Sequence, residues 1–266
     1  MYETAVSKEK IASHWTRYVP GWDVPSAPVE SADYFRQVDE RWHKFEHYLP
    51  GLIGEVAAPG KRVLEVGCGL GSASREFVRQ GCRMVSVDLC FSNVQKTRLG
   101  FEACGMKGFC VNADAENLPF KTGVFDAVYS YGVLHHTPNT AGAIRELYRI
   151  LVGGGKSRVM LYKKGASYIY VCLRGLLTGD AFKMSREELI SKWYDQTPLS
   201  KMYSKAEAGR LFGDFDGVHF QVVQYGGVRE NPKLVLYYRL ITLLPFIENW
   251  LGSFLIIKAS KKAGRS

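Results

Sequence analysis

The chain has 266 residues, 46% of them hydrophobic and 23% charged, enough for one large domain, or one domain with a lid, around a core that needs no covalent staples. Its six cysteines, at 68, 82, 90, 104, 110 and 172, include no CxxC pair, and no histidine cluster has zinc-ligand spacing. A disulfide scaffold and a zinc module are therefore set aside, and the thiols read as small buried hydrophobes of a reducing compartment. The net charge of +9 divides as −3 over 1–60, +5 over 61–162 and +7 over 163–266. That skew suits an acidic substrate, an anionic membrane or RNA, and equally a solvated basic surface.

The first ten residues carry charges with no apolar run behind them, so no secretory signal is expected and the reading is cytoplasmic. Residues 8–18 read as a short helix, and Pro20, Gly21, Pro25 and Pro28 as a loop. Over 31–49, Tyr34, Phe35, Val38, Trp42, Phe45 and Leu49 recur at helical spacing, which predicts a helix that either packs only on the core or also covers a ligand cleft. After Pro59 and Gly60 the rhythm changes. Strands are predicted at 62–66, 83–87, 108–112, 125–129 and 156–162. The helices between them are placed at 72–80, from a Ser92/Gln95 capping box to Ala103, and at 140–151. Strands alternating with helices imply a parallel sheet covered on both faces by right-handed crossovers. Residues 163–213 break the alternation and read as a helical insertion above the sheet, with capping boxes at Ser185/Glu188 and Ser204/Glu207. Strands at 218–225 and 254–258, with a helical stretch between them, close the domain, and a basic tail frays from Lys261. The apolar run 234–257 is interrupted by Arg239, Pro245, Glu248 and Asn249. It is expected to be lid and core, or a peripheral contact with a membrane, and not a span.

The expected organisation is thus an N-terminal helical lid over 1–58, a ligand-binding core over 59–162, an inserted helical acceptor or lid region over 163–213, and closing strands over 214–266.

The chemistry concentrates in the run LEVGCGLG at 64–71. Gly67, Gly69 and Gly71 follow a strand and open a helix, a placement that permits positive φ and close approach of a ligand to the backbone. The pattern is E-x-G-x-G-x-G and differs from the G-x-G-x-x-G that seats a pyrophosphate. With Glu65 beside the glycines, it suits a ligand carrying an ammonium group, such as a methionine moiety. Asp88 ends the second strand, where an acid can accept from both hydroxyls of a ribose. Asp114, Ala115 and Glu116 follow the third strand, where Asp114 can accept from an exocyclic amine. One acid at a strand end is commonly a structural cap; three on consecutive strands point to a ligand.

With LEVGCGLG, VSVD at 85–88, NADAENLPF at 112–120, FDAVYSYGVLHH at 125–136 and ELYRILVGGGKSRVMLY at 146–162, the chain resembles the class I S-adenosylmethionine-dependent methyltransferases. The resemblance covers 61–162 and lies with the branch that includes the ubiquinone and menaquinone biosynthesis enzymes. It implies a doubly wound, Rossmann-like α/β fold with a seven-stranded, mostly parallel sheet whose last strand is reversed, and S-adenosylmethionine as cofactor. It also implies Glu65, Gly67 and Gly69 at the methionine end, Asp88 at the ribose, Asp114, Ala115 and Glu116 at the adenine, and Ser130 and Tyr131 along the cofactor. Cys68, Gly71, Leu89 and Ala113 are the flanking positions of the same motifs. Gly153, Gly154 and Gly155 depart from the usual proline-glycine-glycine turn, and Lys156, Ser157 and Arg158 make a polar start to the fifth strand; neither departure falls on a cofactor motif.

The function implied is methyl transfer to a small-molecule or lipid-like acceptor at oxygen or carbon, an in-line displacement that needs positioning and exclusion of water. No metal site is read. His135 and His136 are candidate bases, with a loop-capping role as the competing account, and His14 is a weaker candidate. Ser130 to Val133 stand where methylases of exocyclic and amide nitrogens carry an N/D-P-P-Y motif, so the acceptor is read as a small molecule. An RNA acceptor is the alternative, on the basic skew, and a non-catalytic cofactor-binding partner protein is the third. Trp15, Tyr18, Trp22, Tyr34, Phe35, Tyr168, Tyr170, Trp193, Tyr194 and Tyr203 are the aromatic candidates for an acceptor pocket or for packing under a lid.

Overall fold

The computed structural model describes residues 6–21, 25–29, 31–223, 249–250 and 252–263. Its centre is a seven-stranded sheet built from β1 (Arg62–Val66), β2 (Arg83–Asp88), β3 (Phe109–Asn112), β4 (Phe125–Tyr131), β5 (Leu151–Tyr162), β6 (Asp216–Val223) and β7 (Phe254–Ser260). The strand order is β3-β2-β1-β4-β5-β7-β6. All pairings from β3 to β5 are parallel, and β7 runs antiparallel to both of its neighbours. The single reversed strand is the one the resemblance implies.

Alternation along the strands explains why the sheet must be covered twice, since successive side chains point to opposite faces. Leu64, Val66, Val128, Val159, Leu161, Leu255 and Ile257 enter one apolar cluster, which α6 (Thr140–Ile150) closes with Ile144 and Leu147. Val63, Ala127, Tyr129, Met160 and Ile256 enter the other, closed by Phe77 of α4 (Ser72–Arg79), Phe101 of α5 (Phe91–Ala103), and Leu49 and Ile53 of α3 (Leu49–Gly54).

The N-terminal segment contributes α1 (Lys8–Arg17), α2 (Ala32–Phe45) and α3. The predicted continuous helix over 31–49 is broken at Glu46, the C-cap of α2. Pro50 is the cause: its ring would collide with the Glu46 carbonyl four residues back in an unbroken helix, and it has no N–H to donate there. Arg75, wholly buried, joins α2 to α4. It donates to Asp39 from Nε (3.1 Å) and Nη2 (2.5 Å), to the Leu70 carbonyl (2.7 Å), and lies over the Phe35 ring.

Several sequence expectations need correction. The Ser92/Gln95 capping box does not form; α5 begins at Phe91 with Cys90 as N-cap. Asp88 takes over the turn by accepting from the Cys90 N–H (2.8 Å) and the Asn93 amide (3.4 Å), an Asx-type arrangement available to any aspartate at a strand end. β4 runs on to Tyr131, and β5 begins at Leu151 and passes through the three glycines with a register shift opposite Phe125 and Ala127. The region 163–213 holds α7 (Ala166–Thr178), α8 (Arg186–Ile190) and α9 (Lys205–Leu211), with both predicted capping boxes formed. It is not all lid: Ala208 and Phe212 belong to the first core cluster. Lys261 is anchored, its N–H on the Gly155 carbonyl (2.8 Å) and its Nζ on that of Leu151 (2.8 Å). The end of the predicted strand 218–225, most of the helical stretch expected before β7, and the last residues of the tail lie outside the described residues. No helix among the described residues is long and apolar enough to cross a membrane.

Candidate active site

A cavity of about 730 Å³ opens at the carboxyl ends of the strands, on both sides of the point where the order reverses between β1 and β4. Doubly wound sheets place ligands at this crevice.

One end is built by the glycine loop. Gly67 adopts φ +81°, and a Cβ there would stand 2.1 Å from Val133 Cγ2, so packing and conformation both demand glycine. The Gly67 and Cys68 N–H groups donate to the Val87 carbonyl (2.8 and 3.0 Å). Gly69 adopts φ +53° with open space where a Cβ would be, and its N–H donates to Asp88 Oδ2 (3.0 Å). The loop thus rests on the end of β2 and leaves bare backbone towards the cavity.

Glu65 and Asp88 line this end. Glu65 is 5% exposed and accepts from Ser74 Oγ; burial pushes its carboxyl up to about 8 against the pull of Ser74 and Arg75. Burial also raises Asp88, against the N–H donors of Cys90 and Gly69. Neither forms an ion pair among the described residues. Carboxylates held this way are poorly solvated and favour a ligand that brings a cation or hydroxyl donors. Cys68, Leu89, Ala113, Asp114, Ala115 and Glu116 also line the cavity. Lys8 of α1 reaches across to Asp114 Oδ2 (2.5 Å) and Glu116 Oε2 (2.7 Å), so the N-terminal helix is latched onto the two acids predicted for an adenine edge.

Three predicted site residues fall outside the cavity wall. Gly71 caps α4 at φ +77°, where a Cβ would meet Thr97 Cγ2 at 2.7 Å; its demand is packing. Ser130 is fully buried on the outward side of β4 and donates to the Val66 carbonyl (3.0 Å). His135 is fully buried with its ring 3.7 Å from that of Tyr162, and burial drives its pKa well below the ordinary histidine value. Alternation in β4 and the tight turn behind it turn these side chains away. His136 does line the cavity. Its Nδ1 donates to the Leu199 carbonyl (2.7 Å), Trp15 packs on its ring at 4.9 Å, and burial lowers its pKa to about 4. His14 does not line the cavity.

The other end is aromatic. Tyr129, Tyr131, Met160, Tyr162 and Phe254 come from β4, β5 and β7, with Trp42 from α2, and Trp15 and Tyr194 closing over them. Tyr131 opposes Met160 in register, and Tyr162 opposes Phe254, stacked at 5.7 Å. Of the aromatics read as candidates for a pocket or for packing, Trp15 and Tyr194 line the cavity. Tyr34 and Phe35 are core, Tyr18 and Tyr170 are exposed, Tyr168 and Trp193 pack beside α7, Tyr203 donates to Thr140 Oγ1 (2.9 Å), and Trp22 lies outside the described residues. Tyr131 lines the cavity, and its hydroxyl donates to Glu46 Oε2 (2.8 Å). Glu46 was not legible as a site residue. The tyrosines were: Tyr129/Tyr131 and Met160/Tyr162 are i, i+2 pairs, and Tyr129 pairs with Glu65 across β1 and β4, so the period of two puts them on one face.

Comparison with known proteins agrees with this geometry. Residues 64–159 match the family described as "Methyltransferase domain". The chain is similar to cycloartenol-C-24-methyltransferase 1 of Oryza sativa subsp. japonica, 35% identical over 116 residues, which are 42% of this chain and 33% of that enzyme. It is also similar to the ubiquinone biosynthesis O-methyltransferase of Xanthomonas oryzae pv. oryzae, 37% identical over 98 residues, 36% of this chain and 41% of that enzyme. The chain thus spans only about a third of the length of the plant relative it matches. Among solved structures it shares the fold of the [4+2]-cyclase SpnF, with a TM-score of 0.57 and 16% identity over 91% of this chain and 86% of that one. The sheet order, the glycine loop over bare cavity and the acids at successive strand ends thus accompany a segment, residues 64–159, that matches a methyltransferase domain.

Proposed function

We propose that this protein transfers a methyl group from S-adenosylmethionine to oxygen or carbon of a small, largely apolar, lipid-like acceptor and releases S-adenosylhomocysteine. The observation that carries the reading is the continuity of one cavity from the glycine loop, Glu65 and Asp88 to the aromatic wall of Tyr131, Tyr162 and Phe254.

The residues fit the cofactor. Open space over Gly69 leaves backbone for a ligand to lie against. Glu65, whose charge is disfavoured by burial, suits the methionine ammonium, and Asp88 suits the ribose hydroxyls. Asp114 and Glu116 suit the adenine end, with Lys8 closing over it. When bound, the cofactor supplies an electrophilic methyl group on a sulfonium. The chain's task is then to align the acceptor, exclude water and place electron-rich rings beside developing charge. Trp42, Tyr131, Tyr162 and Phe254 do this at the aromatic end. His136 acts here by orientation: its Nδ1 is committed to the Leu199 carbonyl, and its lowered pKa makes it a weak base. The relatives' names point to cycloartenol and to ubiquinone biosynthesis, and an aromatic wall suits bodies of that kind better than a polyanionic RNA. A route to such acceptors along a membrane surface is supported by α7, which turns Ile169, Tyr170, Leu173, Leu176 and Leu177 to solvent.

Calorimetric titration with S-adenosylmethionine and S-adenosylhomocysteine tests the cofactor, with a dissociation constant of about 1–100 µM expected. Transfer of label from methyl-labelled S-adenosylmethionine to a panel of sterols, quinols and phenols tests the acceptor class. No binding of either nucleoside by folded protein would overturn the reading.

A further inference from the structure

Resting on the proposed methyl transfer, we infer that Glu46 is the polar anchor of the acceptor subsite, and that the acceptor carries a single hydrogen-bond-donating head, a hydroxyl or an ammonium, on an apolar body.

Glu46 is 93% enclosed yet lines the cavity, set there by the break between α2 and α3. Its side chain is held from two sides. Tyr131 OH, from the cavity wall, donates to Oε2 at 2.8 Å, and Tyr48 OH, from behind, donates to the same oxygen. The two phenols also meet each other. Oε1 accepts no hydrogen bond among the described residues, and no lysine or arginine pairs with the carboxylate there. Burial raises its carboxyl to about 7 against both phenol donors. A carboxylate that lines an aromatic cavity with two donors on one oxygen and none on the other can take a further donor from the ligand. The same cavity is lined by the rings of Trp42, Tyr131, Tyr162 and Phe254; its cations are Arg41 and Lys8, the latter paired with Asp114 and Glu116. An anionic head beside Glu46 would meet like charge, so acids are disfavoured there; a hydroxyl or ammonium completes the cluster.

Three probes with one body and different heads test this: 4-pentylphenol, 4-pentylbenzylamine and 4-pentylbenzoate. Each is titrated calorimetrically at pH 8 into protein with and without saturating S-adenosylhomocysteine. The inference expects the phenol, the amine or both to bind at least tenfold more tightly than the benzoate. Which of the two binds identifies the head as hydroxyl or ammonium. In Glu46→Gln the benzoate should gain and the amine lose affinity, closing the gap to within about threefold, while S-adenosylhomocysteine binds as in the wild type. Equal binding of benzoate and donor-headed probes by the wild type overturns the inference, even if Glu46→Gln does not fold. An unchanged order of affinities in folded Glu46→Gln overturns it too. Loss of S-adenosylhomocysteine binding by the wild type would count against the cofactor reading, and the probes measured without it would still decide the subsite.

Discussion

The two ends of the cavity are made in different ways. The glycine-loop end is almost contiguous in sequence: Glu65 to Gly69, Asp88 and Leu89, and Ala113 to Glu116 each lie at the end of one strand, and backbone conformation does most of the shaping. The aromatic end gathers Trp15, Trp42, Glu46, Tyr131, Tyr162 and Phe254 from elements up to 239 positions apart, and side-chain packing shapes it. A local site changes slowly because the strand that carries it is also core. A dispersed site can change its acceptor one residue at a time without touching the cofactor.

The largest effect should come from the brace that holds the two ends together. Asp39→Ala leaves Arg75 charged and buried without its carboxylate, a loss of about 3–5 kcal/mol. α2 would then lose its hold on α4 and the Leu70 carbonyl, and chemical denaturation should show a markedly lower midpoint. An unchanged midpoint would mean that the ends are independent. Next, Asp88→Ala removes the acceptor of the Gly69 and Cys90 N–H groups as well as the expected ribose contact. S-adenosylhomocysteine affinity should fall by ~30-fold or more, about 2 kcal/mol, while the wild-type affinity for the matched alkyl probes persists if the two ends are separable.

Glu65 sharpens the comparison through pH. Its folded-state value is about 8, so the free protein holds a proton there across neutral pH that the unfolded chain releases near 4.5. Binding an ammonium ion expels it. Affinity for S-adenosylmethionine should therefore rise about tenfold from pH 6.5 to 8, with proton release in calorimetry, and Glu65→Gln should flatten the rise. The same protons affect stability. Between about pH 4.5 and its folded value, about 7 for Glu46 and about 8 for Glu65, each carboxyl is protonated only in the native state, so it lowers the stability of the free protein as pH rises by up to about 1.4 kcal/mol per unit, and above the ordinary histidine range this decline stands alone. Below it the buried His135 and His136, with lowered values, favour the native state as pH rises through about 4 to 6.5 and offset the carboxyls. A melting-temperature profile should thus decline between about pH 6.5 and 8, less steeply with S-adenosylmethionine bound. The smallest effect is at the latch. Lys8→Ala frees α1 from Asp114 and Glu116, a partly exposed pair worth about 0.5–1 kcal/mol, and should speed S-adenosylhomocysteine release a few-fold in stopped-flow displacement. No change would make α1 a bystander.

The cofactor end was largely legible because its determinants are local. A strand, a positive-φ turn and an acid at the next strand end each leave a mark within a few residues, and Glu65, Gly67, Gly69, Asp88, Asp114 and Glu116 all line the cavity. Gly71, Ser130 and His135 share the motif but not the cavity, because a motif does not say which way each side chain turns. The lid aromatics stayed open between pocket and packing for a related reason: Tyr34 and Phe35 satisfy helical periodicity whether the partner is a ligand or the core, and they pack in the core with Arg75 and α5.

What the sequence alone determined is the repeating pattern: alternating strands and helices, the two-sided burial of the sheet, the glycines that only positive φ explains, and the capping boxes at Ser185 and Ser204. These are decided by near neighbours and by the period of the apolar residues. Only the tertiary structure decided the acceptor end. Pro50 breaks a helix and swings Glu46 inward, β7 brings Phe254 beside Tyr162 from 92 positions away, and Arg75 locks α2 over the sheet. Those outcomes depend on long-range register and on the balance of buried charge, which no short window of sequence contains.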